Sequence, residues 1–181
     1  MRVCIDAGHG MGNRESGRYD PGAVYDGIEE ASIALQFALD LKERLEADGH
    51  MIVLTRDDAI TDCSLYRRGR QGAGCDAFVS IHLNASANPQ ANGVEVFYGR
   101  TPSLARVVQD SLVAASGLCD RGTKFGELRV IGDSPAPAIL IELGFLSNAN
   151  DRELLTDRDK MFELAEAVSI GLVKWFDRQS S

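Results

Sequence analysis

Hydrophobic and polar positions along this chain switch repeatedly between a period of two and a period near 3.6. Arg2 to Asp6 sets Val3 and Ile5 against polar neighbours, which predicts a first strand. A Gly-rich loop follows, running through Tyr19-Asp20-Pro21-Gly22 to Gly27, and a loop this long inside a compact domain is commonly functional. From about Glu29 to Asp48 the pattern becomes helical: Ala31, Leu35, Ala38, Leu41 and Leu45 recur on one face, and Gly49 is a suitable stop. Met51 to Leu54 reads as a buried strand and Leu65 to Gln71 as a short helix. Asp76 to Ile81 holds the nearly unbroken apolar run of a strand covered on both faces. Gly93 to Tyr98 predicts another strand. Thr101 is placed as a helix cap with Pro102 at the first position, Leu104, Val108, Leu112 and Ala115 along one face, and Gly117 at the end. After Pro135-Ala136-Pro137, Ala138 to Ile141 is a last buried strand. The closing helix runs from about Arg158 to Phe176, with Met161, Leu164, Ala165, Val168 and Leu172 facing inward.

Alternation of this kind implies an α/β fold, a mostly parallel open sheet sandwiched by helices, in a single domain covering 1–181. In open α/β sheets, ligands bind outside the carboxyl ends of the strands. Three polar residues stand at such ends: His9 in Asp-Ala-Gly-His-Gly, His82 in Ser-Ile-His-Leu-Asn, and Glu142 in Leu-Ile-Glu-Leu-Gly. A fourth, Glu30, opens the first long helix. It lies in line with Ala34, Phe37 and Leu41, whereas Glu29 lies in line with Gln36, Asp40 and Glu43, so Glu30 tops the inward stripe and Glu29 the solvated one.

Two imidazoles and two carboxylates have the composition of a hydrolytic zinc site: three ligands, an open position for water, and a spare carboxylate to move that water's proton. Each residue also has an ordinary structural reading. A histidine after a strand is usually hydrogen-bonded in place, and a glutamate at a helix start usually answers the helix dipole. Glu142 resists that reading, because a carboxylate set directly after Ala-Ile-Leu-Ile costs several kcal/mol to bury without a partner. Such a group is paired, metal-bound or held for proton transfer. Asp6 is a candidate to orient His9, Asn84 to contact substrate or form a turn, and Arg56 to tie loops together by ion pairs. His50 is read as loop filler.

Composition narrows the field. The chain has 181 residues, 44% hydrophobic and 25% charged, which fits one globular domain with a core of its own. A net charge of -8 argues against nucleic-acid binding, since phosphate contacts need clustered cations. Arg67, Arg68 and Arg70 form the densest basic run and are read as a solvated helix face. No stretch approaches the apolar length that spans a bilayer, so membrane insertion is not expected, and residues 1–8 lack the run of a signal peptide. Cys4, Cys63, Cys75 and Cys119 show no metal-binding pair and are read as reduced, buried or half-buried thiols.

The motifs taken together resemble the zinc-dependent N-acetylmuramoyl-L-alanine amidases of the amidase-3 family, which includes bacterial cell-wall hydrolases and phage endolysins. The carriers are Ile-Asp-Ala-Gly-His-Gly at 5–10, Asp-Pro-Gly-Ala at 20–23, Gly-Ile-Glu-Glu-Ala at 27–31, Leu-Thr-Arg at 54–56, Val-Ser-Ile-His-Leu-Asn-Ala at 79–85, Gly-Val-Glu-Val-Phe-Tyr at 93–98, and Ile-Glu-Leu-Gly-Phe-Leu-Ser-Asn at 141–148. Each alone is weak, and their order along residues 2–176 is strong. The resemblance implies that His9, Glu30 and His82 bind Zn2+, that Glu142 is the catalytic glutamate, and that the substrate is peptidoglycan, cut between N-acetylmuramic acid and L-alanine. One departure is Gly72-Ala73-Gly74, where many relatives have an Ala-Asn pair.

A monomer is expected, acting in the host cytoplasm and then on the cell wall if it is a phage lysin, or at the wall if it is a fragment of an exported enzyme. Two other classes compete. Another zinc-dependent peptidoglycan peptidase, such as a carboxypeptidase, would use the same ligands. A non-catalytic wall-binding module would be expected to have lost one of the four residues. A Cys75/His82 nucleophilic pair is disfavoured, because a strand separates the two by roughly 20 Å.

Overall fold

A computed structural model describes residues 1–179. The chain starts with β1 (Arg2–Ala7), then two small hairpins, β2 (Gly10–Met11) with β3 (Tyr19–Asp20) and β4 (Val24–Tyr25) with β5 (Ile28–Glu29), before α1 (Glu30–Ala47). There follow β6 (Met51–Leu54), α2 (Leu65–Arg70), β7 (Ala77–Asn84), β8 (Val94–Tyr98), α3 (Pro102–Ser116), β9 (Asp120–Phe125), α4 (Arg129–Gly132), β10 (Ala138–Phe145), α5 (Ala149–Thr156) and α6 (Arg158–Gln179). The main sheet has six strands in the order β6-β1-β7-β10-β8-β9. β6, β1, β7 and β10 are parallel, β8 runs antiparallel to β10, and β9 follows β8, so the sheet is mostly parallel as expected.

Strand alternation sends side chains to two unequal layers. Val3, Ile5, Ala7, Ala77, Val79, Ile81, Ile139, Ile141 and Leu143 join the large core, which also takes the inward faces of α1, α3 and α6. Cys4, Phe78, Ala138 and Leu140 face the other way and meet Val130 and Ile131 of α4 in a much smaller cluster, with Leu65 of α2 packed against it. His82, Glu142 and Glu95 fall on this thinly covered side, because they continue the same alternation by steps of two from Phe78, Leu140 and Phe97.

Several boundaries differ from the expectations. β7 and β10 run on past Ile81 and Ile141, so His82 and Glu142 lie inside strands. β6 is an edge strand with Met51 65% exposed, paired only with β1, and is not buried. Thr101 occupies the cap position of α3 without a side-chain capping bond, while Gly117 ends that helix in the left-handed conformation. Asp40, aligned with the solvated row of α1, is buried because Arg158 reaches across from α6 and pairs with both its oxygens.

Candidate functional site

His82 enters the site from β7, where it is the Cα partner of Glu142 on β10. His9 follows β1 with a φ of 61°, and that left-handed turn swings its ring back over the strand ends. Its Nε2 lies 3.0 Å from Glu30 Oε1, and His82 Nδ1 lies 2.9 Å from the same oxygen. The two rings stand edge to face at 4.9 Å. Backbone amides complete the carboxylate's shell: Leu83 N donates to Oε1 and Ala23 N to Oε2. Glu30 is 4% exposed. Burial alone would raise its pKa, but the bonds from His82 and His9 hold it well below the usual carboxylate range.

Close packing explains the glycines in the motifs around these residues. A Cβ on Gly8 would lie 2.5 Å from His82 Cε1. On Gly22 it would lie 2.5 Å from Glu30 Oε2 and 2.7 Å from His9 Cδ2, in a backbone conformation of φ +70°. Both positions admit no side chain beside the imidazoles.

The group that orients His9 is Asp20, not Asp6. Asp20 Oδ2 lies 3.0 Å from His9 Nδ1 and also accepts from Asn13 Nδ2, while its Oδ1 accepts from Gly22 N. Burial pushes Asp20 up, but those bonds hold its pKa down at about 2. The bond at Nδ1 leaves His9 Nε2 aimed at Glu30. The sequence signal for Asp20 was its Asp-Pro-Gly turn, which by itself suggests only loop geometry.

Asp6 instead sits beneath the site, 1% exposed, accepting from Thr55 Oγ1, Ser80 Oγ and Arg68 Nη1. Burial opposes its charge, yet Arg68 with the two hydroxyls lowers its pKa. Arg68, read from the sequence as part of a solvated face, is fully buried and donates to the carbonyls of Cys63, Ala7 and His9. Arg56 ties loops together as expected, though through carbonyls of Ala7, Gly8 and Ala31 and not through ion pairs. Asn84 donates to Glu95. Cys119 is exposed, contrary to the expectation for all four thiols.

Glu142 completes the arrangement. Its Oε2 is sealed from solvent without a hydrogen-bond partner among the described residues. Burial, with the charges of Glu30 and Glu95 behind it, pushes its carboxyl well above the usual range.

The donors of His9, Glu30 and His82 lie within 4.8 Å of one another, close enough to converge on one ion. Two imidazole nitrogens and an ionised oxygen suit zinc, and the lone pairs that here share protons are those a metal would take. Among the described residues no helix is long and apolar enough to cross a membrane.

Known proteins of one family share this fold. The amidase-3 family model, N-acetylmuramoyl-L-alanine amidase, matches residues 3–174. The chain is 33% identical to the N-acetylmuramoyl-L-alanine amidase LytC of Bacillus subtilis over 96% of its own length, but spans only 35% of that protein. The catalytic domain of CwlV, an amidase of Bacillus (Paenibacillus) polymyxa, superposes with a TM-score of 0.87 at 34% identity, covering 97% of this chain and 98% of that one. The amidase AmiC2 of Nostoc punctiforme gives 0.88 at 32% identity and 98% coverage of both. The chain thus belongs to the amidase-3 family of N-acetylmuramoyl-L-alanine amidases.

Proposed function

We propose that residues 1–181 form one catalytic domain that hydrolyses the amide between the lactyl group of N-acetylmuramic acid and the L-alanine of the peptidoglycan stem. The observation that carries this reading is the meeting of His9, Glu30 and His82 beside a carboxylate, Glu142, that has one buried oxygen with no partner. Family membership supplies the bond, and the site supplies the chemistry.

His9 through Nε2, His82 through Nδ1 and Glu30 are the residues that would hold zinc. When bound there, the ion supplies Lewis acidity that activates water and polarises the scissile carbonyl. Asp20 keeps the His9 ring in the tautomer that leaves Nε2 free to ligate. Glu142 accepts the proton of the attacking water and then delivers it to the leaving nitrogen of L-alanine. Its raised pKa suits the second step, and its place next to His82 suits the first. Gly8 and Gly22 let the two rings and Glu30 pack directly against the backbone.

Mass spectrometry of muropeptides after digestion tests the reading. The expected products are a free lactyl carboxylate and a new L-alanine amino terminus, lost with a chelator and restored by zinc. Release of a single amino acid from the far end of the stem would mean a carboxypeptidase instead. No cleavage by the zinc-loaded protein would leave only wall binding.

A further inference from the structure

β9 was absent from the sequence-based expectations, and it brings two cations to the rim. Arg121 Nε lies 2.7 Å from Glu95 Oε2, and Lys124 Nζ pairs with the same oxygen. The remaining oxygen of Glu95 accepts from Asn84. Two cations therefore meet one carboxylate, which leaves a net positive charge on a molecule that carries -8 overall. Glu95 itself is 4% exposed at its side chain, while Arg121 and Lys124 retain 32% and 39%. Arg121 Nη1 also donates to the carbonyl of Asn92, and both side chains keep part of their surface open to solvent. Phe145 lies under the Arg121 guanidinium at 4.8 Å and fixes its plane.

This cluster continues the catalytic row. Glu95 is the direct cross-strand partner of Glu142, as Glu142 is of His82. Directly opposed residues share a face, with Cβ atoms about 5 Å apart. β9 is one strand further on, so its backbone lies roughly 10 Å from that of β10, and its long side chains reach back toward the row. A stem peptide extended from the scissile nitrogen covers about 7 Å in two residues.

We propose that Arg121 and Lys124 form a subsite for a free carboxylate on the stem-peptide residue that follows L-alanine, making the enzyme selective for an anionic over an amidated stem. This rests on the function proposed above. Glu95 holds both cations in place, and Asn84 and Phe145 hold Glu95 and Arg121.

The test compares two synthetic muramoyl dipeptides that differ only in a carboxylate or a carboxamide at the α-position of the second residue. The zinc-loaded parent is expected to cleave the carboxylate form with kcat/KM at least about tenfold higher, as charge-assisted bonds allow. Arg121→Gln and Lys124→Gln, each leaving Glu95 one cation, should each bring the ratio toward one, chiefly through KM for the carboxylate form. Equal kcat/KM on both dipeptides in the parent would overturn the subsite while leaving the amidase reading intact. A parent preference that survives in both variants would overturn it as well. Failure to cleave either dipeptide would overturn the amidase reading, and the subsite with it.

Discussion

Glu142 and His82 are Cα partners on adjacent parallel strands, yet their carboxylate and imidazole differ completely in how they are satisfied: His82 bonds to Glu30, while Glu142 Oε2 has no partner. A buried group kept without a partner is suited to exchange a proton. Glu142→Gln keeps the shape and removes that capacity. Turnover of muropeptides should fall by about 10²- to 10⁴-fold, with one zinc per chain retained by elemental analysis. Loss of zinc along with activity would assign Glu142 to the metal instead.

His9→Ala and His82→Ala should lose zinc outright, because each removes one of the three residues proposed to hold it. Asp20→Asn is a finer probe. It keeps the fold and weakens the bond to His9 Nδ1, so zinc affinity, measured by competition with a chromogenic chelator, should drop by about 10- to 100-fold. An unchanged affinity would mean that Asp20 serves only the loop.

Gly8→Ala places a Cβ where His82 Cε1 stands, 2.5 Å away. The same Cβ would stand 2.6 Å from the Ile81 carbonyl oxygen of β7, so the ring must move and the backbone where Gly8 bonds to Ile81 must give as well. The expected outcome is a protein with a lower urea midpoint than the parent and little bound zinc.

The Asp6–Arg68 pair is fully buried and lies under the site. Removing the cation alone, as in Arg68→Ala, should cost about 3 to 5 kcal/mol in urea unfolding, since it leaves a buried carboxylate uncompensated. The pair also sets an acid limit. Asp6 has its pKa lowered by Arg68, Ser80 and Thr55 against the effect of burial, so its stabilisation is fully present above the unfolded carboxylate's pKa and is lost as pH falls through the depressed one. Asp6→Asn should therefore lower stability near neutrality and flatten the decline toward low pH.

Much of this was legible in the chain. The α1 periodicity singled out Glu30 over Glu29, and Ala34, Phe37 and Leu41 are indeed buried beneath it. Apolar runs located β7 and β10 but not their ends, because the strands continue into the polar residues His82 and Glu142. β9 carries Asp-Arg-Gly-Thr-Lys, with neither an apolar face nor β-branched density, and pairs only with β8. α5 was missed for a similar reason. It is polar along most of its length and owes its start to Asn148, whose side chain accepts from the amides of Asn150 and Asp151. Asp6 and Arg68 are distant in sequence, and spacing offers no hint that they meet. The Asp20 bond depends on a turn that returns the chain to His9 after two short hairpin strands.

The two faces of the sheet are unequally clothed: three long helices cover one, and two helices of six and four residues lie across the other. A cross-linked mesh cannot diffuse into a deep cleft and has to be grazed along its strands. On the function proposed above, keeping the heavy scaffold behind the sheet leaves little built over the face that would meet such a solid.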